Sequence, residues 1–257
     1  MVLVDSHCHL DASQFDGDRA SVITRARDAG VTQQVVPAVD AAGWPKLRTI
    51  CADTAGLFPA YGLHPMYLAA HRDAHLPQLR EWLDRERPVA VGECGLDYFI
   101  DGLDHDKQSH YFDAQLGLAR EFDLPVIVHA RRAVDAVIAA VKRVGKLRGV
   151  VHSYSGSAEQ ARQLWDLGFL IGLGGPVTYD RANRLHKLAA SMPIEYLLLE
   201  TDAPDQPDAG IRGQRNEPAR LPEVLRVIAQ LRGERETDIA SATTANAARL
   251  FGLNAAP

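Results

Sequence analysis

The chain has 257 residues, 46% hydrophobic and 24% charged, a composition that excludes a disordered or fibrous protein and allows a large core without covalent staples. Its formal net charge of −5 excludes a global positive field that would gather long polyanions, so any nucleic-acid binding has to be local to a site. No apolar run approaches the roughly 18 residues of a membrane helix, the start leads straight into a strand without a basic, signal-like stretch, and Cys8, Cys51 and Cys94 are scattered with no Cys-x-x-Cys pair; together these predict a cytoplasmic protein with reduced thiols and no membrane association.

In chain order, short apolar runs alternate with stretches of helical period. Strands are predicted over 2–4, 34–37, 58–62, 89–92, 126–128, 149–151, 169–172 and 196–199. Between them, helices are predicted over 18–29, 44–52, 76–85, 107–122, 133–144, 158–167 and 183–190, with two more after the last strand, over 218–231 and 236–250. Several of the helices end in Gly or Pro signals such as Ala29-Gly30 and Leu124-Pro125. Eight strand–helix units predict an α/β protein, a single (β/α)₈ TIM barrel with extra C-terminal helices, as one domain over 1–257. An open doubly wound sheet would call for a Gly-rich phosphate loop after the first strand, where this chain has His7-Cys8-His9.

A barrel places its chemistry at the C-terminal strand ends. Strand one runs out into His7 and His9, which share one face if the extended backbone continues, with Cys8 on the other. Strand three ends in His64, strand four in Glu93 and Asp97, strand five in His129, strand six in His152, and strand eight in Glu200-Thr201-Asp202. Taken singly, a strand-end histidine reads as a hydrogen bond to a loop, and a strand-end carboxylate as a helix cap. Convergence argues otherwise, because four imidazoles and two carboxylates meeting at one mouth would be buried polar groups without partners. Two divalent ions satisfy all six. With Glu93 bridging, one takes His7, His9, Glu93 and Asp202, and the other Glu93, His129 and His152. His71, His75, His105, His110 and His186 fall in predicted helices or loops and read as solvated surface residues.

The motifs Asp5-Ser6-His7-Cys8-His9-Leu10, Gly62-Leu63-His64-Pro65, Gly92-Glu93-Cys94-Gly95-Leu96-Asp97-Tyr98, Pro125-Val126-Ile127-Val128-His129, His152-Ser153-Tyr154-Ser155-Gly156, Glu200-Thr201-Asp202-Ala203-Pro204 and Arg215-Asn216-Glu217-Pro218 resemble those of the TatD-type metal-dependent hydrolases, the deoxyribonuclease-like branch of the amidohydrolase superfamily. The resemblance runs from Val4 to Phe251. It implies a metal-dependent phosphodiesterase or deoxyribonuclease that cleaves DNA or small phosphodiesters with a metal-activated water. It also implies metal ligands at His7, His9, Glu93, His129, His152 and Asp202. Two segments depart from the pattern. Many members read His-Cys-Phe-Ser-Gly where this chain has His152-Ser153-Tyr154-Ser155-Gly156, and many continue Asp-Ser-Pro with an aromatic where Asp205-Gln206-Pro207 follow Pro204. These changes are expected to bear on substrate identity and to leave metal binding untouched.

Roles follow as expectations. Asp202 and Glu93 are the catalytic carboxylates, Asp202 orienting the water and taking its proton. His64, Arg131 and Arg212 are assigned to substrate phosphate, with Arg132 and Arg215 beside them. Glu200, inward on the last strand, supports a ligand histidine from behind. Tyr98, Phe99 and Tyr154 are candidates to stack unpaired bases, with core packing preferred for Phe99. The nitrogen-rich ligand set suits Zn²⁺ or Mn²⁺, and the resemblance adds Mg²⁺. The expected partner is single-stranded DNA or a small phosphodiester, with no obligate protein partner. The alternative is a hydrolase of a neutral amide, lactone or cyclic imide. Many such barrels bridge their metals with a carboxylated lysine, and no lysine stands at a predicted strand end here.

Overall fold

A computed structural model describes residues 1–253. Eight strands form one parallel sheet in sequential order: β1 (Leu3–Asp5), β2 (Val31–Pro37), β3 (Leu57–Tyr61), β4 (Ala90–Asp97), β5 (Val126–Arg131), β6 (Gly149–Val151), β7 (Phe169–Leu173) and β8 (Leu197–Leu199). The seam between β8 and β1 is closed just past their ends, where the Ser6 amide and hydroxyl both donate to the Leu199 carbonyl and the Asp202 amide donates to that of His7. The architecture is a (β/α)₈ TIM barrel.

Helices follow the strands in turn: α1 (Arg19–Asp28), α2 (Trp44–Ala52), α3 (His75–Glu86), α4 (His105–Glu121), α5 (Val134–Val144), α6 (Ala158–Asp166) and α7 (Asn183–Ser191), then α8 (Leu221–Arg232) and α9 (Glu236–Phe251) after β8. The two extra C-terminal helices are present as expected. The elements match the sequence reading closely except in β2 and β4. β2 starts at Val31, ahead of the predicted 34, because the polar Thr32 and Gln33 hide its beginning. β4 runs on to Asp97 through two glycines that break the apolar run.

Apolar side chains divide into two cores. The larger lies between the strands and the helices wrapped around them. The smaller fills the barrel's N-terminal floor, with one side chain from every strand, among them Val4, Val35, Ile127, Val150 and Leu198, packed on Ala247, Leu250 and Phe251 of α9 and on Leu253. Asn246 pins α9 there by donating to the carbonyls of Ile194 (2.7 Å) and Leu197 (2.9 Å). Cys8, Cys51 and Cys94 are buried and free. No helix among the described residues is long and apolar enough to cross a membrane.

Candidate metal centre

The side chains at the C-terminal mouth converge on Glu93. Period two along β5 carries the inward face from Ile127 to His129, and along β6 from Val150 to His152. β4 does not keep that period. Its pairing with β5 shifts register between Val91 and Cys94, and Glu93 lies inside the shift. β1 stops at Asp5, so His7 and His9 stand beyond the strand and not on it. The buried Asp5 holds that exit in place. It accepts from the His7 amide (3.2 Å), and from the Thr201 amide (3.0 Å) and hydroxyl, which ties the ends of β1 and β8 together. Burial pushes the Asp5 carboxyl up to about 7.

Glu93 presents one oxygen to each of two groups. Its Oε2 lies 3.2 Å from His7 Nε2 and 3.4 Å from His9 Nε2, and both nitrogens are 3.5 Å from Asp202 Oδ1. Its Oε1 lies 2.7 Å from His152 Nε2, 2.9 Å from His64 Nε2 and 3.2 Å from His129 Nδ1. The six residues expected as metal ligands are therefore brought together, and His64 joins them. Asp202 has φ of +56°, a left-handed conformation that aspartate tolerates better than most residues.

The donor set fits a divalent cation. Glu93 Oε1 is buried among three ring nitrogens, none of them in good hydrogen-bond geometry to it. Such an oxygen is costly unless something positive sits beside it. Burial lowers His7 to about 4 and leaves its ring neutral. Burial works against a charge on His152 too, but Glu93 outweighs it and raises that ring to about 9. Burial likewise opposes ionisation of Asp202, yet its contact with the His9 ring and the nearby charge on His152 hold it down to about 2. The pocket thus draws positive charge towards two ionised carboxylates.

Hydrogen bonds on the far side of each ring sort ligands from donors. His9 Nδ1 lies 3.1 Å from the Pro37 carbonyl oxygen, so it carries the proton there and turns the lone pair of Nε2 inward. His129 Nε2 lies 2.9 Å from Asp97 Oδ2, which leaves Nδ1 free to face Glu93. His64 is the reverse: its Nδ1 accepts the Met66 amide (3.1 Å), so its proton sits on Nε2 and the ring faces the cluster as a donor. Glu200 stands behind His152, with Oε1 3.8 Å from Nδ1 and accepting the Ser153 amide. Burial pushes it up to about 8 against the pull of His152. Gly172 makes room for it, since a Cβ there would fall 2.1 Å from Glu200 Oε2.

Two positions escaped the sequence reading of roles. Asp97 is fully buried and orients His129, and its Oδ1 also accepts the amides of Phe99 (2.9 Å) and Ile100 (3.2 Å). Its place four residues after Glu93 was the available signal. Gln206 donates to Asp202 Oδ2 (2.5 Å) and accepts from the Ser153 hydroxyl (2.8 Å). The two segments that depart from the TatD pattern therefore meet each other, and they touch a carboxylate of the cluster.

The outer assignments fare unevenly. Arg131 ends β5 and lines the cavity above the cluster, about 660 Å³ in volume. Arg212 is exposed and does not line that cavity, and Arg215 is engaged with Asp18 (2.7 Å). Phe99 is not in the core: it is 43% exposed, with the Arg131 guanidinium 3.6 Å from its ring centre. Tyr154 is buried with its hydroxyl donating to Ser157, and Tyr98 is stacked on His105, so neither ring is as free as a base-stacking role supposes. His71 is not solvated either. It is 3% exposed, because its Nε2 bonds the His64 carbonyl (2.9 Å) and shapes the loop that carries His64.

The model of the family described as TatD-related DNase matches residues 4–252. The chain is 42% identical to the uncharacterized metal-dependent hydrolase YjjV of Escherichia coli (strain K12), over 97% of this chain and 98% of that protein. It is 35% identical to the 3′-5′ ssDNA/RNA exonuclease TatD of Cronobacter sakazakii, over 99% of this chain and 100% of that one. The crystal structure of YjjV, a TatD homologue from Escherichia coli K12, superposes with a TM-score of 0.95 at 41% identity and covers 98% of each chain.

Proposed function

Because the chain belongs to the TatD-related DNase family, we propose that it is a divalent-metal-dependent phosphodiesterase acting on single-stranded DNA or small phosphodiesters. One observation carries the reading: Glu93 offers one oxygen to His7 and His9 and the other to His129 and His152, with Asp202 completing the first set. Two ions would be held by those six residues. When bound, they supply Lewis-acid polarisation of the phosphoryl oxygen and lower the pKa of water towards neutrality.

The chain's own residues do the rest. Asp202, ionised and braced by Gln206, orients the attacking water and accepts its proton. His64 donates from Nε2 to a phosphate oxygen, the tautomer that its Met66 contact enforces. Arg131, at the cavity wall, pairs with the phosphate. Asp97 holds His129 in orientation, and Glu200 stands 3.8 Å behind His152 while fixing the Ser153 amide beside it. Three buried free thiols support a reducing, cytoplasmic setting, and no obligate protein partner is required.

No lysine lines the cavity among the described residues, which removes the usual bridge of the amide- and lactone-cleaving barrels. Metal content of the purified protein, followed by chelation and add-back of Zn²⁺, Mn²⁺ or Mg²⁺, tests the reading. Short single-stranded DNA and bis(4-nitrophenyl) phosphate should be cleaved only with metal present. Cleavage of lactones or amides, with phosphodiesters left intact, would overturn it.

A further inference from the structure

A second cavity of about 630 Å³ adjoins the first at the barrel mouth, sharing Arg131 and Ser155 with it. Phe99 reaches it from the loop after β4, Arg131 and Arg132 from the end of β5, and Arg184 from the start of α7. Arg184 is fixed by a 2.8 Å bond to the Ser155 carbonyl. Neither Arg131 nor Arg132 has an ion-pair partner among the described residues. The one acid on the wall, Asp135, is already engaged by Gln160 (2.7 Å). A chain of net charge −5 thus collects three guanidinium groups around one hollow.

Phe99 gives that hollow its second character. The Arg131 and Arg132 carbons lie 3.6 and 4.6 Å from its ring centre, and the ring remains 43% exposed. Lying over the phenyl ring holds both guanidinium groups in place without occupying their N–H forks in an ion pair. An exposed flat stack beside an unneutralised cationic fork matches what one nucleotide presents, an unpaired base and its phosphate.

We propose that this second cavity binds the nucleotide next to the scissile phosphodiester of a single-stranded nucleic acid, with Phe99 and its stacked guanidiniums against the base and Arg131, Arg132 and Arg184 on the phosphate. The inference rests on the phosphodiesterase reading of the metal centre. Arg131 forms part of both walls, so a strand leaving the first cavity enters the second without a gap. A paired base has no face to offer here, so single strands are preferred over duplex.

Binding of fluorescein-labelled hexathymidylate to chelated protein, followed by anisotropy, tests the site without turnover. Phe99→Ala should weaken it roughly tenfold, and Arg132→Gln should lower the slope of log affinity against log salt by about one. With metal restored, the preference for hexathymidylate over bis(4-nitrophenyl) phosphate should fall roughly tenfold in Phe99→Ala, the value of one stacked base. Variants that bind the hexamer as the native protein does would overturn the subsite. So would an equal loss on both substrates, which marks general damage to the mouth. A native protein that cleaves neither phosphodiester would instead sink the underlying reading of the metal centre, and the anisotropy result would still stand by itself.

Discussion

The floor and the mouth of this barrel are built from the same eight strands and have opposite characters. At the floor each strand contributes one apolar side chain, and α9 seals the layer. Two or three residues further along several strands, the inward positions become His129, His152, Glu200 and Glu93, all buried or nearly so, with polar atoms on three of them lacking hydrogen-bond partners. The floor lowers the free energy of the fold by removing apolar surface from water. The mouth gives up some of that gain to hold charge in a low-dielectric place, where it acts strongly on a cation or a phosphate. Stability and chemistry are separated along the strand axis, so changes at one end should leave the other nearly intact.

That separation can be tested from both sides. The largest effect is expected from Glu93→Gln, which weakens both metal groups at once. Turnover should fall beyond about 10³-fold, more than a single charge-stabilising donor is worth, with a native circular dichroism spectrum. Phe251→Ala at the floor should cost about 3–5 kcal/mol in denaturant unfolding. Well below its melting temperature, that variant should keep kcat/KM within about twofold of native, because Phe251 packs at the end away from the cluster. Asp97→Asn removes the partner of His129, and metal affinity by titration, or activity, should fall about 10–100-fold. The smallest effect concerns a loop beside the mouth, where Asp208 accepts two bonds from Arg220 (2.7 and 2.9 Å). Burial opposes the charge on Asp208, but Arg220 prevails and holds its carboxyl below the ordinary range. A lowered folded pKa contributes stability that is complete at neutral pH and is lost as pH falls through that pKa. Asp208→Asn should therefore cost about 1–2 kcal/mol at pH 7, and the gap from native in melting temperature should close below about pH 4.

What the sequence revealed and concealed follows the same division. Strands and helices were legible because burial on one or both faces writes a period into the residues, as in 126–128 and 134–144. His129 and His152 were legible because they continue that period past the apolar run. Glu93 was placed at the right strand end, but its inward direction depends on the register shift in β4, which no periodicity encodes. The roles of Asp97 and Gln206 are not written in the sequence, since each is defined by a partner from another segment. His71 and Phe99 depart from expectation for a related reason. A buried backbone carbonyl captures the histidine, and two arginines stack on the phenylalanine, so neither obeys the polarity of its own side chain.

The packing of α9 under the barrel bears on how the chain is made. Val4 in the first strand and Phe251 in the last helix belong to one apolar layer. While the chain is being synthesised, that layer has no lower boundary until the final turns of α9 have emerged, and the apolar ends of the strands stay open to water or to a chaperone. A premature stop or a protease cut just before Ala247 would therefore remove the plug that completes the interior, however well the strands above it had formed.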